Sequence, residues 1–105
     1  MKPEEFNQIV VKRVTKSSDV LIKKSVQYSR NNDRFYNFKK IAQLTDTTPE
    51  KVLMTLVSKH WINLKDCVDE IGSDPVQWAP LYDELLNDIH NYMYLLEGLI
   101  KERCE

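Results

Sequence analysis

From Pro80 to about Arg103 the chain can hold one unbroken helix, with apolar side chains at Leu81, Tyr82, Leu85, Leu86, Ile89, Tyr92, Met93, Leu96, Leu99 and Ile100. These recur at steps of three and four, the spacing that lines one side of an α-helix. The face they make is wide enough for two neighbours. A helix of this kind gains its stability by packing rather than by propensity, so the rest of the chain must supply helical partners. Composition agrees: two Gly and four Pro among 105 residues leave little material for the turns of a sheet protein. The expected fold class is all-α, a four-to-five-helix bundle in one domain spanning residues 1–105. One protomer of this size is expected to leave part of the wide face uncovered, which predicts a dimer or higher oligomer.

The partners can be read from punctuation. Residues 3 to about 30 have helical character, with Pro3 suited to a first turn and Phe6, Val10, Val14, Leu21 and Tyr28 near helical spacing. Ser17, Ser18 and Asp19 interrupt that pattern, so this helix is either continuous or two pieces. The polar run Arg30-Asn31-Asn32-Asp33 ends it, and residues 34–44 supply a short second helix with Phe35, Phe38, Ile41, Ala42 and Leu44 available for packing. Thr48 is an N-cap candidate, Pro49 suits the first helical position, and Glu50 lies near the positive helix start. The third helix then runs to about Ile71, with Leu53, Leu56, Val57, Leu64, Cys67, Val68 and Ile71 on one face together with His60. Gly72 stops it, and Ser73-Asp74-Pro75 begins a turn towards Pro80.

Lysine and arginine nearly balance aspartate and glutamate, giving a formal net charge of −1. A broad electrostatic grip on nucleic acid is therefore not expected. No run is apolar and long enough for a membrane span, and the start of the chain does not resemble a secretory signal, so a cytoplasmic location is expected. Cys67 and Cys104 lack a metal-type spacing and read as reduced thiols.

Two polar groups break this pattern. Asp88 lies three residues after Leu85 and four before Tyr92, at the edge of the apolar side of its helix. A desolvated carboxylate there needs a partner, because an unpaired one costs several kcal/mol. His60 is a natural candidate if the third and fourth helices are antiparallel neighbours; a metal ion is the other. Glu84, Asp88 and Asn91 share a polar strip that can either hold Mg²⁺ through oxygen ligands or form the solvated edge of a bundle. Separately, Lys24, Tyr28, Arg30, Arg34, Phe35 and Phe38 bring cations and aromatic faces together near a helix end. That combination can hold phosphate and stack a base, or build a packed corner with solvated cations. Lys59 points either to a cleft rim or to water.

The motifs K-x-x-x-Y-S-R, R-F-x-N-F, T-P-E-x-V, K-H and D-E-x-x-x-D-x-x-N-Y-x-x-L-L, over roughly residues 20–100, resemble small phage and prophage proteins related to the all-α nucleoside triphosphate pyrophosphohydrolases, the MazG-like superfamily. The resemblance implies a helical bundle, dimeric or larger, that binds Mg²⁺ and splits a nucleotide between its α and β phosphates. It implies acids of the form E-E-x-x-E in one helix and E-x-x-D in the next. Here the third helix offers Asp66, Asp69 and Glu70 in the order D-x-x-D-E. The fourth carries Asp83 with Glu84 and Asp88 as E-x-x-x-D, and Leu85 stands where the family's glutamate falls. In a hydrolase, Asp66, Glu84 and Asp88 would hold Mg²⁺, with Lys59 and Arg30 offsetting phosphate charge. In a non-catalytic module, Tyr28, Arg30, Arg34, Phe38, His60 and Asn91 would bind a nucleotide or a nucleotide-derived signal, as in sequestration of a host signalling molecule. A third expectation is a helical face that binds and inhibits a host protein.

Overall fold

The computed structural model describes residues 1–72 and 76–105. Among these the chain forms four helices, α1 Pro3–Tyr28, α2 Tyr36–Leu44, α3 Pro49–Glu70 and α4 Pro80–Cys104. The expected all-helical class is what the structure shows. The turn expected at Ser73-Asp74-Pro75 lies outside the described residues.

α1 is continuous through Ser17, Ser18 and Asp19, and the reason is tertiary. Ser17 is fully buried and its hydroxyl donates to Asn87 Oδ1 on α4 at 2.9 Å. A serine that would weaken an isolated helix here satisfies a buried amide instead. One turn earlier, Arg13 and Lys16 both bind the Asp83 carboxylate. The contacts Arg13–Asp83 and Ser17–Asn87 share the same 70-residue offset, so α1 and α4 run parallel and in register. That register leaves Phe6 beyond the start of α4 at Pro80, which explains its exposure; Val10, level with Pro80, and Val14, level with Glu84, are exposed as well.

α3 and α4 run antiparallel, tied by Arg103 to Glu50 at one end and His60 beside Asp88 further along. Thr48 caps α3 by accepting from the Lys51 backbone N–H at 3.3 Å, with Pro49 in the first turn as the sequence predicts. Between α2, α3 and α4 lies the apolar core of Phe38, Ala42, Val52, Leu53 and Leu99, flanked by Phe35, Leu56, Tyr92, Leu95 and Leu96. Val57, Leu85 and Ile89 are buried as well. The C-terminal part of the expected α3 face is not core: Val68 and Ile71 are exposed. Val52, outside that face, is buried instead.

The Asp83 cluster makes the α1–α4 contact pH-dependent. Lys16, and after it Arg13, hold the Asp83 carboxyl below its ordinary value of 3.8. A depressed folded pKa contributes stability above the unfolded pKa and loses it as pH falls through the folded one. Asp83→Asn is expected to lower stability at pH 7 by about 1 kcal/mol, the upper end for ion pairs that are not fully buried. That corresponds to a melting point lower by roughly 4 °C. The gap should narrow as pH falls through the depressed folded pKa of Asp83, where the wild-type carboxylate is also neutralised. A gap that stays constant as pH is lowered through the whole carboxylate range would assign the effect to packing.

Candidate functional site

All four helices surround one cavity of about 350 Å³. That is near the lower end for small-molecule sites, which run from roughly 300 to 1,000 Å³. α1 contributes Leu21, Lys24 and Tyr28 at steps of three and four, α2 adds Asn37, Phe38 and Ile41, and α3 adds Leu56 and His60. α4 lines it with Asp88, Asn91, Tyr92 and Leu95, and the α1–α2 turn delivers Arg34.

The turn is built to place that arginine. Asn31 and Asn32 adopt left-handed backbone angles, φ 53° and 58°, which asparagine tolerates better than most residues. Arg30 and Asp33 then exchange backbone hydrogen bonds of 3.2 and 2.9 Å. The Asp33 carboxylate accepts from the Phe35 backbone N–H at 2.9 Å and from Lys39 at 2.7 Å. Those two donors, Lys39 foremost, hold the Asp33 carboxyl below its ordinary value. Arg34 emerges from this clamp with its guanidinium 5.8 Å from the centre of the Tyr28 ring, within cation–π range. Burial pulls the Arg34 pKa below its usual value, with Tyr28 opposing the shift. Among the described residues no carboxylate lies within ion-pair distance of it.

The other end of the cavity is polar in the opposite sense. His60 Nδ1 stands 3.7 Å from Asp88 Oδ2, near enough for charge attraction and too far for a hydrogen bond. The imidazole also leans against Tyr92, with ring centres 5.1 Å apart at 47°. Burial raises the Tyr92 phenol above its ordinary pKa, with further contributions from Asp88 and then Tyr28. His60 Nδ1 and Asn91 Oδ1 are buried without a hydrogen-bond partner in the protein. Asn91 as a whole is only 7% exposed. A buried polar atom left unpaired costs about 1–3 kcal/mol, which marks this corner as poised for a ligand's hydrogen bonds.

No protein-family model, curated protein or solved structure matches the chain.

The site must therefore be understood from its own side chains. Of the residues singled out in the sequence, Tyr28, Arg34, Phe38, His60, Asp88 and Asn91 converge on the cavity, with Lys24 beside them. Glu84, Lys59, Asp66 and Arg30 are exposed and do not line it. Asp83 is engaged by Arg13 and Lys16. Among the described residues no group of three His, Cys, Asp or Glu side chains is placed to hold a metal ion, and of the candidate Mg²⁺ ligands Asp66, Glu84 and Asp88 only Asp88 lines the cavity. The pairing of Asp88 with His60 across antiparallel helices is realised, although as a loose contact. The burial of Asn91, on a strip whose spacing alone allowed either an Mg²⁺ site or a solvated edge, is the main feature that sequence reasoning leaves undecided. Its spacing to Asp88 and Leu95, three before and four after, is the available signal.

Proposed function

We propose that the protein binds a nucleotide or nucleotide-derived small molecule in this cavity without needing to transform it. The observation that carries this is Arg34: a partly desolvated guanidinium, within cation–π range of Tyr28, opening on a cavity and lacking a carboxylate partner among the described residues. Desolvating a cation is unfavourable unless an anion meets it, and guanidinium is the side chain best matched to phosphate. Phe38, Tyr28 and Tyr92 add apolar aromatic surface on which a base can stack. The binding reading thus uses side chains that the fold gathers. The hydrolytic reading asks for Asp66 and Glu84, which stand outside the cavity.

The same reading includes self-association. The chain exposes 8132 Å² and has a radius of gyration of 16.3 Å. A compact monomer of this size exposes about 6,100 Å² and has a radius of gyration of about 13 Å. The excess, about 2,000 Å², is of the size that a permanent homodimer buries. Phe6, Ile9, Val10 and Val14 on α1 give that surface an apolar stripe at helical spacing.

The test is a thermal-shift panel of mononucleotides and cyclic dinucleotides with Mg²⁺ present, read beside sedimentation and product analysis of the same samples. A ligand at one hundred times its dissociation constant should stabilise the fold by about 2.7 kcal/mol, raising the melting point by roughly 10 °C. Arg34→Gln should remove that rise. No shift with any member of the panel defeats the binding reading. Release of nucleoside monophosphate and pyrophosphate would instead establish the hydrolase, and a monomer in sedimentation would reject the dimer.

A further inference from the structure

The cavity is chemically polarised along α4. Asp88, Asn91 and Leu95 follow at steps of three and four on one side of that helix, and seven residues of α-helix separate the first from the last by about 10 Å. Leu95 and Arg34 also line a second, smaller recess together, which neither Asp88 nor Asn91 lines, so Arg34 belongs to the Leu95 end. At the other end are the two carboxylate oxygens of Asp88 and the unpartnered, buried Oδ1 of Asn91. The cavity thus offers the Asp88 and Asn91 oxygens beside His60 at one pole, a cation at the other, and aromatic walls between them. The rise from Asp88 to Leu95 is comparable with the span from the pairing edge of a base to a 5′-phosphate.

We propose, building on the nucleotide-binding reading, that the site selects a guanine nucleotide, with the base edge on Asp88 and Asn91 and the phosphate on Arg34. An ionised carboxylate only accepts hydrogen bonds, so the part of the ligand that meets it must present donors, and on a base edge these are N–H groups. Guanine carries N1–H beside the N2 amino group, three hydrogens on two nitrogens bonded to the same carbon, with no acceptor between them. Two can meet the Asp88 oxygens and the third the Asn91 oxygen. Adenine sets its amino group beside the N1 and N7 lone pairs, cytosine beside N3, and uracil flanks its N–H with two carbonyls. Each of these turns an acceptor towards the carboxylate or the asparagine oxygen. A site built to hydrogen-bond a particular edge rejects analogues that lack it, because its buried polar atoms are then left unpaired. Lys24 lines the same cavity and adds positive charge without the fixed fork of arginine.

Isothermal titration with GMP, AMP, guanosine and inorganic phosphate tests this. GMP is expected to bind at least ten-fold more tightly than AMP and more tightly than guanosine. Asp88→Asn should collapse the GMP-over-AMP ratio towards one, whereas Arg34→Gln should weaken GMP and AMP by a similar factor and preserve the ratio. The ratio in the wild-type protein is independent of how any variant folds. Equal affinity for GMP and AMP would overturn the guanine assignment while leaving nucleotide binding intact, as would an unchanged ratio in a folded Asp88→Asn protein. Binding of guanosine as tight as GMP would overturn the phosphate assignment at Arg34. Failure of every nucleotide to bind would overturn both this inference and the reading beneath it.

Discussion

Leu53→Ala is expected to destabilise the protein by about 3–4 kcal/mol, within the range measured for removing a buried leucine side chain. Leu53 is fully buried at the centre of the α2–α3–α4 cluster, where Phe38, Ala42, Val52 and Leu99 surround it. Truncation removes the transfer energy of the deleted carbons and leaves a cavity that three helices cannot collapse without breaking their other contacts. A domain of this length is stable by only about 5–15 kcal/mol, so the loss is a large share of the whole. Urea unfolding followed by circular dichroism should show a much lower midpoint with little change in slope. Leu44, on α2 but 86% exposed, provides the comparison: Leu44→Ala should stay within about 0.5 kcal/mol of wild type. Equal midpoints for the two variants would mean that the core has been placed wrongly.

Gly98→Val should cost about 2–3 kcal/mol, as expected when a side chain is forced into filled space. Glycine in the middle of a helix is about 1 kcal/mol less favourable than alanine, so its place in α4 calls for a packing reason. The reason is Phe35: a Cβ at position 98 would stand 2.6 Å from Cζ of that ring. Phe35 is not a free side chain that can swing aside. It packs against the core cluster, and its backbone N–H is held by Asp33. It also adjoins Arg34, so pushing the ring away should disturb the cation end of the cavity as well as stability. Because one contact causes the loss, the two positions must couple: in a Phe35→Ala background Gly98→Val should cost at most half as much. Additive costs in denaturant melts would remove the contact as the cause.

The helices are legible in the sequence because each carries its own local chemistry. Thr48, Pro49 and Glu50 specify the start of α3 through capping and charge, and the helical periodicity of residues 81–100 specifies α4. Asp88 and His60 are also legible as a pair, since each breaks an otherwise apolar face and each needs a partner. Which apolar stripe meets which is not legible. Val52 is core and Val68 is not, although nothing in their own side chains separates them. Ser17, Ser18 and Asp19 look like an interruption of α1 until Asn87 arrives from 70 residues away to accept the Ser17 hydroxyl.

The candidate site divides in the same way. Lys24, Tyr28, Arg34 and Phe38 stand together in sequence as cations among aromatics near a helix end, and they remain together in space. Lys59, Asp66 and Glu84 carry equally suitable chemistry but face away, because on a helix a shift of one position turns a side chain by about 100°. By itself the sequence determined the all-α class, the helix ends and the residue types available for binding, since propensity, capping and periodicity act within a few residues. Only the tertiary structure decided that Asp88, Asn91, His60 and Arg34 share one cavity. That depends on the parallel register of α1 with α4 and the antiparallel register of α3 with α4, which are set by contacts between residues far apart in the chain.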